Sequence, residues 1–206
     1  MTELPHLTPP QGVQPGHVGL ILLGRVIVGD ISATMVDLAL RQHIRVEESP
    51  HIGWLVSRPT GGDRQSLADH EKTLVLALPA APVPINKINR PVLEDMRKAL
   101  IRDGVAHGWL HRLHHDRRTP AADEVATHLK AFRRQMRQAQ RDHGQEALGA
   151  LLPYALRFGL ATADVHPLAG FTHHHHQPIP RHRPGRNVTP LCCQARKAQF
   201  SRFGAV

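Results

Sequence analysis

The stretch "GDISATMVDLALRQHIRVEE", residues 29–48, opens with helical spacing and closes with strand spacing. Ile31, Met35 and Leu38 recur at i, i+4 and i+7, Val36 and Leu40 widen the stripe, and Asp30 or Ser32 stands where a side chain caps a first helical turn. From His43 the period falls to two. Ile44 and Val46 alternate with Arg45 and Glu47, and beyond Ser49-Pro50 a second alternation runs through Ile52, Trp54 and Val56. The stretch therefore predicts a short amphipathic helix followed at once by a β-hairpin. That order is the second half of a winged helix, with the helix as reading element and the hairpin as wing, both packed on a preceding helix, here "GHVGLILLG" at residues 16–24. On such a reading helix Thr34, Asp37 and Arg41 face outward. Thr34 and Arg41, with Trp54 in the hairpin, are the candidate partner-binding residues, although Trp54 also suits a core position under the wing. Asp37 on the outer face and Glu47-Glu48 in the hairpin repel phosphates, which favours a protein or peptide over DNA as ligand of this unit.

Outward from this unit the chain divides by composition. Residues 1–16 are rich in Pro and Gly and predict a flexible N-terminus on the surface. Residues 17–84 form the winged-helix-like unit, which includes "SLADHEKTLVLAL" at 66–78. There Ser66 with Asp69 matches a capping box, and Leu67, His70, Leu74, Ala77 and Leu78 share one face. Residues 85–118 repeat the helix-to-strand order, with Leu93, Met96 and Leu100 leading through Gly104 into "VAHGWL". Residues 119–168 predict a helical segment. Thr119-Pro120 caps it, Val125, Leu129, Phe132, Met136 and Ala139 form its stripe, and Pro153 begins its last helix anew or kinks it. Residues 169–206 lose periodicity to Pro, His, Arg and Gln and predict a disordered tail. The fold class is thus mainly α with small β-hairpins (α+β): one or two winged-helix-like units, a helical segment and a disordered tail.

No run of 18 apolar residues occurs, since Arg25 interrupts "HVGLILLGRVIV", so membrane insertion is not expected. The start "MTELPHLTPPQG" lacks the apolar core of a secretory signal, and the two cysteines, Cys192 and Cys193, are adjacent, as in a protein of a reducing compartment. Together these predict a cytoplasmic location. Of the formal charge of +9, residues 171–206 carry +6 on Arg181, Arg183, Arg186, Arg196, Lys197 and Arg202 with no acid among them, so the body is only mildly basic. Weak non-specific nucleic-acid binding is expected of the tail. A second basic feature lies in "KAFRRQMRQAQRD", where Arg133, Arg137 and Arg141 line one edge of a helix. They are the candidate nucleic-acid residues, set against a solvated-face reading that the absence of interleaved aromatics favours.

The histidines suggest metal. His107, His111 and His115 lie at i, i+4 and i+8, which on a helix places three imidazoles on one face, but Gly108 and the flanking arginines oppose both helix and cation. His173, His174, His175 and His176 form a flexible chelating run. No cofactor is predicted. Catalytic motifs are lacking as well: there is no Gly-rich phosphate loop with Lys-Ser/Thr, no G-x-S-x-G, no H-E-x-x-H and no paired carboxylates in an apolar setting, so an enzyme is not expected.

Five blocks carry a family resemblance: "PGHVGLILLGRVIVGDISATMVDLALRQHIRVEE" (15–48), "LADHEKTLVLAL" (67–78), Gly108-Trp109, "LKAFRRQM" (129–136) and "LLPYALRFGLA" (151–161). In this order they resemble a bacterial family of predicted membrane proteins known as domain-of-unknown-function family number 2207. Where members place further hydrophobic spans after the Gly-Trp block, this chain has "LHRLHHDRRTP". The resemblance therefore implies the soluble module of that family without its membrane spans, and it implies no activity. The functional expectation is an interaction module that binds a protein or peptide through the winged-helix-like unit, an extended segment adding to the hairpin edge. The alternative is a DNA-binding regulator that uses the winged helix, the arginine strip and the tail.

Overall fold

One carboxylate sets the start of the diagnostic helix. In the computed structural model, which describes residues 7–61, 65–114 and 117–161, helix α2 (Val28–Leu40) follows helix α1 (Val18–Leu23) after a turn at Gly24. Asp30, fully buried, accepts from the Ile27 amide at 2.8 Å through one oxygen and from the Gly19 amide at 2.8 Å through the other. Arg157, on the distant helix α6 (Leu152–Arg157), donates to the same carboxylate. Burial pushes the Asp30 carboxyl up, while the Arg157 guanidinium and the two amides pull it back toward the charged form. The expected cap thus also ties α1 and α6 to α2. Gly19 makes this approach possible, because a Cβ there would lie 2.0 Å from an Asp30 oxygen.

The stripe of α2 packs with Ile31, Met35, Val36 and Leu38 buried and Leu40, at the helix end, exposed, but the other face is covered as well. Ser32, Ala33 and Thr34 are also buried, because α6 and a 3-10 turn (Pro15–His17) lie against the face expected to meet a ligand. Thr34 is therefore corrected from an outward to an inward position. It is 2% exposed and its hydroxyl donates to the Asp30 carbonyl at 2.9 Å. The expected flexible N-terminus, whose residues 1–6 lie outside the described ones, is corrected at residues 13–16. From Val13 onward it is core: Val13, Pro15 and Gly16 are buried, and the Tyr154 hydroxyl donates to the Val13 carbonyl. Proline and glycine signal a loop by composition, yet here glycine permits contact, since a Cβ at Gly16 would stand 2.4 Å from Thr34 Oγ1.

The hairpin is present. Strands β1 (Arg45–Ser49) and β2 (Gly53–Ser57) pair antiparallel with Val46 opposite Val56 and Glu48 opposite Trp54, so Ile52 sits in the turn, exposed, rather than on the inner face. A short strand β3 (Val83–Pro84) pairs with the other side of β2, giving the order β1-β2-β3. Among the described residues β1 is an edge. Between β2 and β3 lies helix α3 (Asp69–Ala77), whose N-cap is Ala68 and not Ser66; the Glu71 carboxylate accepts from the Ala68 amide at 2.8 Å.

Helix α4 (Arg90–Ala106) packs on α3 and ends where Gly108 takes φ 72°. The strand expected after it is a single bridge, Leu110 with Arg118. Helix α5 (Pro120–His143) starts as predicted, with the Thr119 hydroxyl accepting from the Ala122 amide and Pro120 in its first turn. Its buried stripe runs through Ala122, Ala126, Leu129, Phe132, Met136 and Ala139, and the first five of these form a second core with Trp109, Tyr154 and Phe158. The first core gathers α2, the sheet, α3 and α4 around Met35, Leu38, Val56, Leu74, Met96 and Leu100. Pro153 lies in the first turn of α6, after a 3-10 segment (Gln145–Leu151), so the chain does begin a helix anew there. The architecture is mainly helical with one small three-stranded antiparallel sheet. Among the described residues no helix is long and apolar enough to cross a membrane. The segment from residue 162 onward, including the predicted tail, lies outside the described residues.

Candidate functional site

Three titratable side chains from three elements meet where the two cores adjoin. His17 ends the 3-10 turn, His70 is the second residue of α3 and Asp103 lies one turn before the end of α4. The packing of α3 on α4 brings His70 Nδ1 to 2.6 Å from Asp103 Oδ2, and the Pro15-Gly16 turn drops His17 beside both, its Nε2 3.8 Å from the same oxygen. His70 is fully buried and His17 is 3% exposed, while the Asp103 side chain is 20% exposed, so the group opens to solvent at the carboxylate. One donor atom from each of the three residues lies within 4.8 Å of the other two.

The surroundings are aromatic. The His17 ring meets His70 and Trp109 edge-on, both at 5.2 Å between centroids, and His107 stacks on Trp109 at 4.4 Å. His107 caps α4 one turn after Asp103 and its Nδ1 hydrogen-bonds to the Asp103 carbonyl at 2.8 Å. Because a carbonyl only accepts, that bond places the proton on Nδ1 and leaves a lone pair on Nε2 of the neutral ring.

The electrostatics follow from burial and the shared carboxylate. Burial works against the charged form of Asp103, but the hydrogen bonds and charges of His17 and His70 outweigh it and hold the carboxyl well below the usual carboxylate range. Burial lowers His17, and the neighbouring His70 adds to this, against the raising effect of Asp103. Among the described residues, His17 Nε2 and His70 Nε2 are buried without a hydrogen-bond partner. A buried polar atom left so costs about 1–3 kcal/mol, so two such imidazoles beside a carboxylate need a physical reason.

An apolar groove of about 780 Å³ opens elsewhere, between the start of α2 and α4. Val26, Ile31, Ile85 and Leu93 line its floor, and Arg25, Arg90 and Arg97 stand around it with Glu94.

The residues singled out from sequence fall in different places. His107 reaches the rim of the buried trio. His111 is exposed in the loop beyond Gly108, because the helix that would have aligned it with His107 ends at Ala106, and His115 and His173 to His176 lie outside the described residues. Arg41 is at the surface but tied to Asp37 and to the buried Glu71. Trp54 is half-buried against the first core. Arg133, Arg137 and Arg141 are all exposed on α5, as both readings of that strip require, with Arg133 donating to the Phe158 carbonyl at 3.2 Å.

Sequence reasoning missed His17 and Asp103 and placed His70 only as a member of an apolar stripe. A histidine on such a stripe was one usable signal, and the i, i+4 pair Asp103–His107 was another. Comparison with known proteins adds no likeness: no family model matches the chain, and no curated protein or solved structure matches it.

Proposed function

We propose that the chain is an interaction module, acting in the cytoplasm, that binds a protein or peptide segment beside its winged-helix-like unit. The groove between α2 and α4 carries this reading. Its apolar floor suits the side chains of a partner segment, and three arginines around it suit flanking carboxylates, a combination of buried anchors and charged rim common at peptide sites. The unpaired edge of β1 offers a second place where an extended segment adds by backbone hydrogen bonds. The order of α2 and the hairpin supports the winged-helix-like assignment, and the quoted blocks support relationship to the soluble module of family number 2207. No reaction is proposed.

The test is a displayed peptide library rich in apolar and acidic residues, with affinity measured by fluorescence anisotropy. Ile88→Glu, at the groove wall, is expected to weaken a selected peptide by at least about tenfold, or about 1.4 kcal/mol, with an unchanged circular dichroism spectrum. Equal binding by wild type and variant removes the groove from the proposal. A second reading, DNA binding, is favoured by the exposure of Arg137 and Arg141 on α5. Salt separates the two, because phosphate contacts make affinity fall steeply with ionic strength and apolar anchoring does not.

A further inference from the structure

We propose that His17, His70 and Asp103 hold a divalent transition metal ion of the zinc class, with the fourth position on the solvent-exposed side of Asp103. The donor set is two imidazoles and one carboxylate, the nitrogen and oxygen ligands that such an ion takes in sites that keep one position open. The three come from separate elements of the first 106 residues, so an ion here would pin the 3-10 turn to both α3 and α4.

The spacing fits after a small adjustment. Ligand atoms about 2.0 Å from a tetrahedral ion stand roughly 3.3 Å apart. The separations of Asp103 Oδ2 from His70 Nδ1, 2.6 Å, and from His17 Nε2, 3.8 Å, bracket that value. Relative to Asp103, binding moves His70 out and His17 in by roughly half an ångström, and it draws together the two imidazoles, whose ligand atoms lie within 4.8 Å of each other.

The protons balance within the two rings. His70 binds through Nδ1 and its proton moves to Nε2. His17 now accepts at Nδ1 a 3.3 Å contact from the Gln14 amide; it gives up that contact, carries its proton on Nδ1 and turns a lone pair on Nε2 toward the ion. Asp103 supplies Oδ2, the oxygen that already meets His70 Nδ1 at 2.6 Å. The partly exposed Asp103 side chain gives the ion its way in, and a water from that side completes the coordination as the fourth ligand. This site is independent of the peptide groove, whose lining residues it does not share.

The experiment must separate this site from the chelating residues near the C-terminus. Full-length chain carrying His173→Gln, His174→Gln, His175→Gln, His176→Gln, Cys192→Ser and Cys193→Ser is titrated with Co2+, then with competing Zn2+, and read by visible d–d absorption. One equivalent with a four-coordinate spectrum is expected. Adding His17→Gln or His70→Gln should weaken it by more than about tenfold, the scale at which even an outer ligand partner counts, while His111→Gln should leave it unchanged. Zinc-edge X-ray absorption of the chain with only the tail substitutions should show imidazole and oxygen scatterers, a readout that does not depend on the His17 or His70 variants folding. Binding of no metal, as in a group that only shares protons, overturns the proposal. So does a bound ion whose spectrum and affinity ignore both histidine substitutions.

Discussion

Helices α2 and α5 both announce themselves by an apolar stripe at helical spacing, yet they end in opposite environments. On α5 the stripe alone is buried, and Lys130, Arg133, Arg134, Arg137 and Arg141 remain exposed on the rest of the helix. On α2 the stripe is buried except for Leu40 at its end, and so is most of the remaining surface, including Ser32 and Thr34. The difference lies in the partners. Helix α5 borders one core, whereas α2 has a core on one side and α6 with the Pro15–His17 turn on the other. A stripe says which face of a helix must be buried. It is silent on whether a second element will cover the other face.

Substitutions can break this comparison, and the largest effect is expected at its centre. Leu38→Asp places a charge in the first core and should cost more than about 4 kcal/mol, enough to leave no cooperative thermal transition. Thr34→Asp should be almost as damaging, because the position is enclosed and Gly16 leaves it no room. A stable Thr34→Asp protein would return that face of α2 to the surface.

Next comes Arg157→Met, which strips the buried Asp30 carboxylate of its cation and should cost about 3–5 kcal/mol by chemical denaturation. Adding Asp30→Asn should recover part of the loss, since it removes the uncompensated charge while keeping an acceptor for one of the Ile27 and Gly19 amides. A double variant no more stable than Arg157→Met would mean that the guanidinium acts by packing and not by charge.

Gly16→Ala is expected to cost about 1–3 kcal/mol, as the new methyl group pushes on Thr34 Oγ1. Thr34→Ala in the same chain should relieve most of it, and an additive double-mutant cycle would contradict the contact. The smallest effect belongs to α5. Arg137→Glu should change stability by no more than about 0.5 kcal/mol in a thermal melt, while lowering retention on DNA at low salt. A large loss of stability there would show that the strip has a structural partner.

Much of the local structure was legible because local chemistry decides it. Thr119-Pro120 starts α5, Asp30 caps α2, Pro153 opens α6, and the alternation around Val46 and Val56 makes a hairpin. Each of these signals acts over a few residues, within reach of backbone hydrogen bonds and side-chain periodicity. Where local signals conflicted with distant packing, the packing prevailed. Ser66 and Asp69 had the spacing of a cap, yet Glu71 caps α3 from inside the helix while also pairing with Arg41. The proline-rich start looked loose, yet Val13 and Pro15 are core, because a chain without regular hydrogen bonding can still bury apolar surface when Tyr154 satisfies a freed carbonyl.

By itself the sequence determined the helices, the hairpin, the caps at Asp30 and Thr119 and the predominance of helix, all of which depend on the order of neighbouring residues. The tertiary structure alone decided that Thr34 faces inward and that His17, His70 and Asp103 meet. The physical reason is common to both. Burial and the meeting of ligands are set by which elements pack together, and His70 joins Asp103 only because α3 lies on α4, a contact between residues 33 positions apart that no period along the chain encodes.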